Sequence, residues 1–144
     1  MLTAVRQSQI YVLDQDEALE FYVGKLGLEI STDADLGFMR WLSVSVPGDP
    51  DHQILLEKPG APGLDEATAA QVRDLVAKGA MGGWLIFTTD DVQQAYETLR
   101  AAGVEFTAEP KEQAYGIDCA LRDPFGNNIR IGQLASQRPQ ESVG

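Results

Sequence analysis

A chain of 144 residues that is 44% hydrophobic can bury a substantial core within one domain. Its formal charge of −11 at pH 7 opposes a polyanion, which excludes nucleic acid as a partner, and no apolar run approaches the length of a membrane span. A single cysteine, Cys119, rules out an intrachain disulfide and fits a reducing, cytoplasmic setting.

The N-terminus enters strand sequence almost at once, without the cationic and apolar segments of a signal peptide. Ser8, Ile10 and Val12 alternate with Gln7, Gln9 and Tyr11, the period of a strand with two different faces. Asp14 then supplies a helix N-cap with Glu17 as its N3 partner. Ala18, Leu19, Tyr22 and Leu26 recur at helical spacing, and Gly27 can adopt the left-handed conformation that ends the helix. Residues 37–46 are β-rich, the cluster Pro47-Gly48-Asp49-Pro50-Asp51 predicts a turn, and residues 53–57 predict a further strand. Asp65 to Lys78 predicts a connecting helix with Ala69, Val72, Leu75 and Val76 as its buried stripe and Gly79 as its stop.

From Trp84 the chain repeats its opening. Asp91 with Gln94 repeats the cap, and Val92, Ala95, Tyr96 and Leu99 repeat the stripe. Gly103-Val104-Glu105-Phe106 repeats Gly27-Leu28-Glu29-Ile30, one residue earlier relative to the cap. After a loop at Glu109-Pro110, a strand runs from Tyr115 to Arg122. Asp123-Pro124-Phe125-Gly126 carries type I turn chemistry, and residues 128–132 form the last strand. Such a duplication implies two related βαβββ modules, about residues 5–58 and 83–133, joined by the helix at 65–78 within a single α+β domain of residues 1–135. The polar, aperiodic stretch 136–144 reads as a disordered tail.

With Asp14-x-Asp16-x-Ala18-x-x-Phe21-Tyr22, Leu26-Gly27, the echo at Asp90-Asp91 and Arg122-Asp123-Pro124-x-Gly126-Asn127, the sequence resembles the glyoxalase, bleomycin-resistance and extradiol dioxygenase superfamily, the vicinal oxygen chelate proteins. The resemblance spans Gln7 to about Gln133 and rests on caps and turns, so it speaks to fold more than to chemistry. It implies paired βαβββ modules whose curved sheets enclose a cleft, often completed in a homodimer. Many members hold a divalent metal there, with one ligand from each of four strands.

On that resemblance, the positions that commonly carry His and Glu hold Gln7 and Leu55 in the first module and Trp84 and Arg130 in the second. Of these only Gln7 could ligate a metal, and a neutral amide is a weak ligand. A guanidinium about 4 Å from a divalent ion would cost on the order of 8 kcal/mol at an effective dielectric of 20. No cofactor is therefore expected, and the ancestral metal site reads as lost. His52, the only histidine, falls beside a turn and reads as solvent-facing, and Cys119 lacks an activating base and reads as inert packing.

Strand alternation places Gln7, Gln9 and Tyr11 on one face, with Leu55 and Glu57 from the fourth strand. In the second module the same rule gathers Trp84, Ile86 and Thr88 with Asn128 and Arg130. An aromatic platform, several amides and one fixed cation suit a small-molecule ligand. Arg130 could pair with a carboxylate, phosphate or enolate. Trp41 and Tyr115 are candidate rim residues, and Glu57 is either a cleft residue or a partner for Arg130. The leading expectation is a metal-free, dimeric protein sequestering a natural product or antibiotic, as in the bleomycin-resistance branch. The alternatives are a metal-dependent glyoxalase, lyase or dioxygenase with unconventional ligands, and a metal-free acid–base enzyme using Arg130 with Tyr115 or Glu57.

Overall fold

The computed structural model describes residues 1–81 and 85–135. The chain forms two compact units, Met1–Gly83 with Pro124–Gly126, and Trp84–Asp123 with Asn127–Gly144. In the first unit, β1 (Gln7–Tyr11) leads into α1 (Gln15–Leu19) and a π-helical segment (Glu20–Lys25). β2 (Glu29–Asp35), β3 (Arg40–Val46) and β4 (Asp49–Glu57) follow, then α2 (Glu66–Ala77). The second unit runs β5 (Leu85–Thr88), α3 (Val92–Ala101), β6 (Phe106–Gln113), β7 (Gly116–Arg122) and β8 (Asn128–Leu134). Each unit has one four-stranded mixed sheet, ordered β1-β4-β3-β2 and β5-β8-β7-β6, with the first and last strands parallel and the remaining pairs antiparallel. The duplicated α+β, βαβββ architecture expected from the repeat is present in both halves.

Both module helices start as their caps dictate. Asp14 Oδ1 accepts the Glu17 N–H at 2.8 Å, and Asp91 Oδ1 accepts the Gln94 N–H at 3.0 Å. The two helices then diverge, and their divergence accounts for the one-residue offset in the repeat. In the first unit the backbone widens into a π turn, with Leu26 N–H bonding the Phe21 carbonyl at 2.9 Å. A π turn absorbs one extra residue without breaking the helix. Leu28 and Val104, equivalent in the repeat, are then both buried. The widening also corrects the predicted stripe: Phe21 and Tyr22 are the buried aromatics, while Leu19 and Leu26 are only part-buried.

Two predicted loops are strand instead, and a third element starts one residue late. The turn at residues 47–51 shrinks to Pro47-Gly48, closing a two-residue hairpin with Val46 opposite Asp49. Proline fixes the first turn dihedral and Gly48 supplies φ 88° at the second. Pro50 and His52 thus belong to β4, where the register shifts between Val44 and Val46, and such an irregularity tolerates a proline. Glu109-Pro110 lies within β6, an edge strand whose pairing with β7 skips between Ala108 and Lys111. Tyr115 occupies the turn before β7 rather than starting the strand. In α2, capped by Asp65 on Thr68 N–H at 2.7 Å, Ala69 and Val76 are buried but Leu75 is exposed.

One face of each sheet is the core. In the first unit Ile10, Val12, Leu42, Val44 and Leu56 are buried along with Ala18, Phe21 and Tyr22. Gln15 ties α1 to this sheet, donating through Nε2 to the carbonyls of Leu56 at 2.9 Å and Arg40 at 3.1 Å. In the second unit Leu85, Ile129, Ile131, Cys119 and Leu121 are buried together with Val92, Tyr96 and Leu99 of α3. The Tyr96 and Phe106 rings meet edge to face at 4.6 Å.

Candidate functional site

The opposite face of each sheet carries the candidate residues. In the first unit, register places Gln7 beside Gln53, Gln9 beside Leu55 and Tyr11 beside Glu57. Ser43 faces Leu55 across β3 and β4, so Trp41, two residues along, shares this face. Arg40 points to the other side, where it makes a paired contact with Asp33 at 2.8 and 3.0 Å and reaches Asp16 at 2.8 Å. The amide of Gln7 donates to Gln53 Oε1 at 3.1 Å, which also accepts Ser43 Oγ–H at 3.3 Å. Gln53 is thus a hub that the sequence reading missed. Burial, and then the nearby Glu57 carboxylate, push the Tyr11 phenol above its usual range. Glu57 also lines a 310 Å³ pocket with Phe38, Met39, Lys58 and Pro59. His52 is exposed in β4, with Nδ1 3.4 Å from Asp49.

In the second unit, Arg130 of β8 lies between Ile86 of β5 and Ala120 of β7. Ile86 is 69% exposed, whereas Leu85 is buried, so the face assignment from alternation holds for β5. Trp84, expected to complete that face, lies outside the described residues. Asp118, two residues from Ala120 along β7, turns to the same face and is 4% exposed. Its Oδ2 accepts a hydrogen bond from Arg130 Nη1 at 2.7 Å and another from the Tyr115 hydroxyl. That hydrogen bond raises the Tyr115 pKa, with burial and the Asp118 charge adding to it and Arg130 opposing. Cys119 faces the core, with Sγ 3.8 Å from the Ile131 carbonyl oxygen. Burial first, and then the charge on Asp118, push its thiol up to about 11.

Sequence reasoning placed Arg130 and Tyr115 at the site but missed the acid that joins them. The available signal was a carboxylate in mid-strand, at a position where alternation turns it away from the core side chain Cys119. Leu55 and Arg130 occupy equivalent places in the two sheets, opposite Gln9 and Ile86. Among the described residues, no group of three or more His, Cys, Asp or Glu side chains is arranged to hold a metal ion. The donor chemistry at the positions implied by the resemblance does not fit a divalent cation either, since Leu55 offers no donor atom and Arg130 a permanent positive charge.

The family model described as "Glyoxalase/Bleomycin resistance protein/Dioxygenase superfamily" matches residues 4–131. Among solved structures, UcmS2 is similar at 39% identity and TM-score 0.86, covering 92% of this chain and 98% of that one. TnmS3, an antibiotic binding protein from Streptomyces sp. CB03234, is similar at 28% identity and TM-score 0.74, covering 93% and 98%. The uncharacterised protein YurT of Bacillus subtilis (strain 168) is 33% identical over 126 residues, 88% of this chain and 95% of its own. The chain belongs to the glyoxalase/bleomycin resistance protein/dioxygenase superfamily.

Proposed function

We propose that this protein binds a small organic molecule of the natural-product or antibiotic type, without a metal, on the sheet face that carries Arg130 and Tyr115, with Gln9, Tyr11, Trp41 and Leu55 the candidate ligand-binding residues of the other unit. The observation that carries the reading is the chemistry at the ligand positions: an aliphatic side chain at Leu55 and an ion-paired guanidinium at Arg130. Such groups hold an organic molecule by apolar contact and hydrogen bonding, and neither offers a lone pair to a metal ion. TnmS3, named as an antibiotic binding protein, supports the same direction. Within this reading the binding form is a homodimer, as the family resemblance implies, in the reducing cytoplasm that a single cysteine fits.

Tryptophan emission, followed while a panel of aromatic natural products is titrated in, tests the proposal. Saturable quenching by at least one compound is expected, and Trp41→Ala should weaken that binding by about 1–3 kcal/mol. Failure of every compound to change the emission or the melting temperature would contradict the reading. A second reading, a metal-free enzyme, is favoured by one observation: the Tyr115 hydroxyl and Arg130 meet on one carboxylate, Asp118, an acid–base cluster on the candidate face. Recovery of chemically altered compound would decide for it.

A further inference from the structure

We infer that Asp118 sets the charge class of the bound molecule: by neutralising Arg130, it makes this face select an uncharged aromatic bearing an oxygen acceptor over the corresponding carboxylate. The inference rests on the binding role proposed above and names the ligand class of the same site.

A lone arginine on a sheet face is a receptor for anions. Arg130 is not alone. Its Nη1 lies 2.7 Å from Asp118 Oδ2, and the two side chains are 35% and 4% exposed. The Tyr115 hydroxyl donates to that same oxygen. A ligand carboxylate reaching for Arg130 would have to share the guanidinium with Asp118 or displace it. Sharing sets two like charges a few ångströms apart, where each disfavours the other. Displacement leaves a buried carboxylate supported by a phenol instead of a cation, a state that proteins avoid.

A carbonyl or phenolic oxygen meets neither obstacle. A guanidinium carries five N–H donors in a planar fork, and a neutral oxygen that meets it brings no like charge beside Asp118. The residues directly opposite Arg130, Ile86 and Ala120, are apolar and bring no second cation to compensate an anion. Lys111, opposite Asp118, and Arg122, at the end of β7, are solvent-exposed, where water and salt weaken their pull.

The test compares naphthalene-2-carboxamide with naphthalene-2-carboxylate, matched in shape and differing in charge, by calorimetric titration of the full-length protein at neutral pH. The wild-type protein should bind the amide about tenfold tighter or more, and Asp118→Asn should erase most of that gap by releasing Arg130 for the anion. Equal or tighter wild-type binding of the carboxylate overturns the inference and leaves the binding role standing. A gap that survives in a folded Asp118→Asn protein removes Asp118 as its cause. If neither compound binds, the inference that this face takes an uncharged aromatic fails, while the binding role is decided by the wider panel. The wild-type ratio bears on the charge class whether or not Asp118→Asn folds.

Discussion

In the second unit a carboxylate that is 4% exposed, Asp118, is held by a guanidinium and a phenol. Its effect on Tyr115 can be measured. Hydrogen bonding to Asp118 raises the Tyr115 pKa above its ordinary 10.0, so the folded state favours the neutral phenol. The resulting stability is fully present below pH 10 and is lost as pH rises through the higher folded value. An absorbance titration of phenolate formation should therefore show a late-ionising tyrosine that Tyr115→Phe removes, while the late ionisation of Tyr11 remains. Tyr115 titrating at or below its ordinary value would remove the hydrogen bond from the account. At this scale the sequence was half legible. Alternation assigned Gln7, Gln9 and Tyr11 to one face, and the intervening Ile10 and Val12 are buried in the core. Asp118 was missed because strand position tells which way a side chain turns, and only cross-strand register tells what it meets. The Asp118 partner of Arg130 was missed for the same reason.

Elements were more legible than sites, because caps and stops are local. Asp14, Asp65 and Asp91 cap the helices read from sequence, each accepting the N–H three residues on. Replacing Asp14 or Asp91 by alanine should cost about 1 kcal/mol each, read from urea unfolding midpoints, since each orphans one helix N–H. A loss near zero would mean that solvent satisfies that donor equally well. The offset between the two modules was visible as a count of residues from cap to glycine, and its cause was not. A π turn depends on hydrogen-bond register, and no residue type specifies it uniquely. The misassigned loops share a different cause. Proline reads as a breaker, yet Pro50 and Pro110 both sit where strand register shifts.

For the whole molecule, duplication, topology and family agree: two βαβββ units of the same strand order, matched by one family model across residues 4–131. The fold was legible because the chain states its plan twice. Chemistry was less so, because the repeated residues are caps and turns, while the positions that distinguish this chain, Leu55 and Arg130, do not repeat each other. Among the described residues no helix is long and apolar enough to cross a membrane. In the proposed function an organic ligand is held without a metal. Equilibrium dialysis of chelator-stripped protein against the panel of aromatic natural products, with and without added Zn²⁺, Ni²⁺, Mn²⁺ or Fe²⁺, tests it most directly. At least one compound should be retained in proportion to protein, recovered unaltered, and held equally well in every metal arm. Retention or turnover that appears only when a metal is supplied would contradict it.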